Sequence, residues 1–81
     1  MRVRLLVFAS AADAVGAQEI ALELPAAATV AELRRCVLER YPALAPLAPR
    51  LAVAVDGALA SSGSPLREGA EVALLPPVSG G

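Results

Sequence analysis

The sequence has no histidine, no lysine and a single cysteine, Cys36. An internal disulfide and a Cys/His metal site are therefore excluded, and so is a nucleophile paired with a histidine base. All seven basic residues are arginine, so no side chain can accept an isopeptide bond. Phe8 and Tyr41 are the only aromatics, which removes a base-stacking platform for nucleic acid. A net charge of -1 gives no reason to expect a nucleic-acid or membrane partner. There is no apolar run of membrane-spanning length and no signal-peptide pattern, so the expected compartment is the cytoplasm. At 81 residues the chain reads as one small domain. A fold of that size buries about 60% of the surface of its unfolded chain and has little room for an enclosed active site.

What remains is a clear succession of elements. Arg2 to Phe8 alternates as a strand, with Val3, Leu5 and Val7 on one face and Arg2, Arg4, Leu6 and Phe8 on the other. Ala9 to Ala17 reads as a connection, with Gly16 as the position that needs a positive φ. Glu19 to Leu24 is a second strand that turns Ile20, Leu22 and Leu24 inward. After the Pro25 break, Thr29 and Glu32 are spaced as a capping box. They open a helix over Val30–Tyr41 with Val30, Leu33, Val37 and Tyr41 as its apolar stripe, and Pro42 prevents its continuation. Arg35 and Glu39 are spaced for an ion pair on its solvent side. Ala43 to Arg50 reads as a packed loop or short turn. Leu51 to Val55 is strand-like, Asp56-Gly57 a two-residue hairpin turn, and Ala58 to Ala60 a short return strand. Following a turn at Glu68-Gly69, Glu71 to Leu75 forms the last strand, with Val72 and Leu74 toward the core.

The order β-β-α-β-β-β predicts an α+β fold with one main helix packed on one face of a mixed sheet. This is the β-grasp, ubiquitin-like arrangement, an architecture that pairs the first and last strands centrally. Residues 1–76 form the expected domain, and 77–81 an extended tail that ends in Gly80-Gly81. Pro76-Pro77 holds the exit extended. Two successive glycines can be threaded through a narrow channel into another protein's active site, with the Gly81 carboxylate presented to chemistry.

The chain resembles the small-subunit family of molybdopterin synthases, which are ubiquitin-like sulfur carriers. The likeness runs over Val7-Phe8-Ala9 and Val15-Gly16, then Thr29-Val30 with Leu33-Arg34. It is strongest over Gly69-Ala70-Glu71-Val72-Ala73 and the ending Pro76-Pro77-Val78-Ser79-Gly80-Gly81. Two positions depart from the family's habit: Leu74-Leu75 stand where it often has aromatics, and Asp56-Gly57 where it often has an Asn-containing turn. Both keep the local physics.

The resemblance implies a sulfur donor with no chemistry of its own beyond its tail. An E1-like activating enzyme would use ATP to adenylate Gly81, and a persulfide sulfur would convert it to a thiocarboxylate. The tail would then enter the large subunit, in a heterotetramer of two small and two large chains. There the sulfur would pass to cyclic pyranopterin monophosphate during molybdenum cofactor biosynthesis. No cofactor or metal would be stably bound. Gly81 and Gly80 are the expected reactive end. Phe8, Leu75, Pro76, Pro77, Val78 and Ser79 are the expected partner contacts, with Leu6 beside Phe8 on the outer strand face.

Arg4 and Arg67 read as solvated side chains that could rim such a surface, and Glu71 as solvated. Cys36 reads as a small packing residue on the helix. The same tail chemistry would also suit a sulfur carrier for thiamine or cysteine synthesis, or a modifier ligated to lysines of other proteins. A structural interaction domain with an idle tail is a further alternative.

Overall fold

A computed structural model describes residues 1–76; Pro77, Val78, Ser79, Gly80 and Gly81 lie outside the described residues. The first strand, β1 (Arg2–Val7), is followed by a short helix, α1 (Ala9–Val15), and by β2 (Glu19–Glu23). The main helix, α2 (Val30–Arg40), leads through 3-10 turns at Pro42–Leu44 and Ala48–Arg50 into β3 (Ala52–Val55), β4 (Ala58–Leu59) and β5 (Glu71–Leu75). The sheet order is β2-β1-β5-β3-β4. β1 and β5 pair in parallel at its centre, and the other pairings are antiparallel.

The alternation along each strand decides which face is buried. Val3, Leu5 and Val7 of β1 and Val72 and Leu74 of β5 are sequestered with Val30, Leu33 and Val37 of α2. Each such aliphatic side chain is worth about 1.5–3 kcal/mol on leaving water. The apolar stripe of α2 therefore seats it on one face of the sheet, as a β-grasp requires. Tyr41, expected to close that stripe, is only half-buried and is the helix's C-terminal boundary residue.

The α2 N-terminus is fully furnished. Glu32 N–H donates to Thr29 Oγ1 at 3.5 Å, and Thr29 N–H to Glu32 Oε1 at 3.3 Å. The Val30 and Ala31 amides donate to the Ser64 and Ser62 carbonyls. The first helical amides, which have no partner within the helix, are thus all engaged.

Two expectations need correcting. Residues 9–17 are not a plain connection: α1 occupies most of it, with Gly16 at φ 83 as its left-handed cap. Alanine has the highest helix propensity, and Gly16 N–H closes the last turn on Ala12 O at 2.8 Å. Arg35 and Glu39, although spaced for it, form no ion pair among those described.

Candidate functional site

The chain leaves the sheet at Leu75–Pro76, so the candidate site is the ground around that exit. β1 and β5 run side by side in the same direction, with Val7 opposite Leu74. Both therefore finish at the same edge of the molecule. Leu75 pairs across to Ala52 at the start of β3, and Pro76, with no N–H to donate, follows immediately.

Because side chains alternate, residues paired across strands share a face. One transverse row on the face away from α2 reads Glu19, Leu6, Ala73, Ala54, Leu59. Leu75 and Ala52 share that face at the exit edge, and Phe8 follows Val7 off the end of β1 toward the same edge. The outcome is an apolar surface beside the exit, with Leu59 77% and Phe8 45% exposed and Leu6, Ala73 and Leu75 half-buried. Phe8 also lines an open groove of about 370 Å³ with Leu6, Ala9, Ala12 and Gln18. Ala9, at φ 50, turns the chain from the strand into α1 at this point.

On the side away from the exit this apolar ground is bounded by charge. Arg4 donates to both carboxylate oxygens of Glu19, each at 3.2 Å, and reaches Glu71 at 3.4 Å. The hydrogen bond to Arg4 and the attraction of its charge hold the Glu19 carboxyl below its ordinary range. Arg2 pairs with Glu23 at 3.0 Å. At the β3–β4 turn, Asp56 Oδ1 accepts from the Glu71 backbone N–H and Oδ2 from Arg67, both at 3.0 Å. That backbone hydrogen bond first, and Arg67 after it, lower the Asp56 pKa. Arg4, Arg67 and Glu71, read from sequence as solvated, are thus exposed but paired: strand register sets Arg4 opposite Glu71, and the loop before β5 brings Arg67 to Asp56 at the β3–β4 turn.

Of the predicted partner contacts, Phe8, Leu75 and Pro76 converge on the exit edge. Pro77, Val78 and Ser79, with the reactive-end candidates Gly80 and Gly81, lie outside the described residues. Leu59 is the exposed member of this apolar face that sequence reasoning missed. Its signal was the register imposed by a two-residue turn at Asp56-Gly57, which sets Leu59 opposite Ala54.

Cys36 is half-buried and packs against the core. Among the described residues no cluster of three or more His, Cys, Asp or Glu could hold a metal ion. No described helix is long and apolar enough to cross a membrane. What the described surface offers is contact area next to an exit.

The sequence profile of the ThiS family matches residues 5–81. A protein named molybdopterin synthase sulfur carrier subunit in Caenorhabditis briggsae is 41% identical over 98% of this chain and 96% of its own. Its namesake in Caenorhabditis elegans is 36% identical over the same shares. Among solved structures, SAMP1 from Haloferax volcanii superposes with a TM-score of 0.90 at 27% identity, covering 100% of both chains. A chain from the complex of subunits 1 and 2 of molybdopterin-converting factor from Helicobacter pylori superposes with a TM-score of 0.73 at 26% identity, again over 100% of both chains.

Proposed function

The chain belongs to the ThiS family, and from that premise we propose that it is the sulfur-carrier subunit of a molybdopterin synthase. The observation that carries this reading is the end-to-end likeness to two curated sulfur carrier subunits. The fold supports it: the two central strands finish together, and the last described residues, Leu75 and Pro76, stand beside an apolar face.

In this account the Gly81 carboxylate attacks the α-phosphorus of ATP on an E1-like activating enzyme, and pyrophosphate leaves. The mixed anhydride turns a poor electrophile into a good one. A persulfide sulfur then displaces AMP, and thiol cleavage of the resulting S–S bond leaves a thiocarboxylate on Gly81. Gly80 and Gly81 present no side chain to the channels that must admit them. The apolar ground of Leu6, Phe8, Leu59 and Leu75 docks on the large subunit, while Pro76, Pro77, Val78 and Ser79 make the partner contacts that lead up to Gly80 and Gly81. There the sulfur passes to cyclic pyranopterin monophosphate, water supplies the oxygen that returns Gly81 to a carboxylate, and the chain is recharged. The assembly is a cytoplasmic heterotetramer of two small and two large chains. ATP is a substrate of the activating enzyme, and the carrier keeps no cofactor.

The test is reconstitution with the activating enzyme, a persulfide donor, ATP, the large subunit and the pterin precursor. Wild-type chain should yield the dithiolene product. Gly81→Ala, which adds a Cβ where two enzymes must each admit the tail, should fold normally and yield none. Full activity in that variant would overturn the mechanism. Lysine-linked conjugates on a denaturing gel would instead identify a protein modifier.

A further inference from the structure

We infer that Arg34 is a positioning residue for the exit: it fixes the sheet end at Ala52–Leu75 from which β5 hands on the chain. The inference rests on the sulfur-carrier reading and adds to it a residue far from the docking face. Arg34 lies half-buried on the flank of α2. Its Nη1 donates to the Leu51 carbonyl at 2.8 Å, and its Nη2 donates to the Ala48 carbonyl. These oxygens bracket the second 3-10 turn and the entrance to β3. The next residue, Ala52, is the one that pairs with Leu75. One guanidinium therefore ties the main helix to the strand end against which the chain makes its last sheet pairing.

Arg40 reaches one backbone carbonyl, that of Ala21, at 3.5 Å, whereas Arg34 holds two. The described ion pairs engage Arg2, Arg4 and Arg67 with carboxylates. Arg34 instead spends two donors on backbone carbonyls. A planar fork can span two such acceptors at fixed geometry, which a lysine ammonium on a single flexible stem does not reproduce. The packing beneath it also favours transmission. Arg34 borders a gap of only about 10 Å³ together with Val37, Leu44, Leu51 and Leu74. Side chains packed this closely pass a shift in one to the next. Leu74 precedes Leu75, so a displacement of the Ala48–Leu51 segment reaches the exit both through the core and through the Ala52–Leu75 pair.

The experiment compares wild type, Arg34→Gln and Arg34→Lys as full-length chains. Steady-state charging by the activating enzyme and sulfur transfer in the large subunit are measured, with amide hydrogen exchange across Ala52 and Leu75. The apolar ground lies on the opposite face of the sheet. KM for the carrier should therefore stay within about twofold, while kcat falls about ten- to a hundredfold, the scale expected from an ångström of misplacement. Exchange at the Ala52–Leu75 pair should quicken while that of Leu5 and Leu33 holds, and Arg34→Lys should recover part of kcat.

Unchanged kcat in a folded Arg34→Gln chain would overturn the inference. So would losses that merely track the unfolded fraction. Should the glutamine variant not fold, the lysine variant decides by the same split between kcat and KM. Failure of the wild-type chain to be charged at all would overturn the sulfur-carrier reading itself.

Discussion

At Asp56 the backbone turns through the left-handed region, with φ 50, and Gly57 follows at φ 88. The Asp56 N–H donates to the Glu71 carbonyl at 2.8 Å, while its carboxylate accepts from the Glu71 N–H and from Arg67. One surface residue thus fastens the β3–β4 turn to the start of the exit strand. The carboxylate's pKa is lowered by folding, so its contribution to stability is complete above the unfolded value near 3.8 and is lost as pH falls through the lower folded value. Thermal melts between about pH 5 and pH 2 should show Asp56→Asn losing less stability on acidification than wild type, because the amide has no charge to lose. Asparagine also tolerates the left-handed conformation, so the turn itself should persist. Parallel acid profiles for the two chains would show that Asp56 is not a contributor. The turn was legible from Asp56-Gly57 alone. The bond to Glu71 was not, since it joins residues that only the sheet order brings together.

Among the elements, α2 was the most legible. Thr29 and Glu32 mark its start, and Val30, Leu33 and Val37 recur at the spacing of a buried stripe. Thr29→Ala should cost about 1 kcal/mol in denaturant unfolding, the usual value of such a cap. An unchanged midpoint would mean that the Ser62 and Ser64 carbonyls suffice. The short α1 was hidden because an alanine run has high propensity but no periodicity, and at Ala9–Val15 it is too short to show a stripe.

The outer face of the sheet was half legible. Leu6, Phe8 and Leu75 followed from strand alternation. Leu59 lay in the return strand that the Asp56-Gly57 turn predicts, but its face followed only from the register that sets it opposite Ala54. Phe8→Asp and Leu59→Asp should each weaken binding of the large subunit by at least about tenfold by titration calorimetry, with melting temperature held within a degree or two, as hot-spot side chains do. Unaltered binding in both would remove this face from the interface.

Over the whole molecule, the sheet order places the first and last strands side by side, and this sets the exit at Leu75–Pro76 beside an apolar face. The β-grasp arrangement followed from the element order, and the central parallel pair from the known architecture. Periodicity by itself did not show it. Leu44 illustrates what remained hidden: it is fully buried, yet it sits in a segment rich in Ala, Leu and Pro where no regular spacing sorts inside from outside.

The division of labour is likewise a property of the whole. In the proposed function the chain supplies a scaffold, a contact face and a presentable end, and leaves activation and transfer to its partners. Mass spectrometry of the protein after incubation with activating enzyme, ATP and a persulfide donor tests that account most directly. Cleavage after Arg67 isolates the peptide from Glu68 to Gly81, which contains neither Met nor Cys, so oxidation there cannot imitate exchange of oxygen for sulfur. We predict that this peptide gains the mass of a sulfur-for-oxygen exchange and that a thiol-directed alkylating reagent then labels it at Gly81. An unchanged peptide, under conditions that charge an established carrier, would contradict the account.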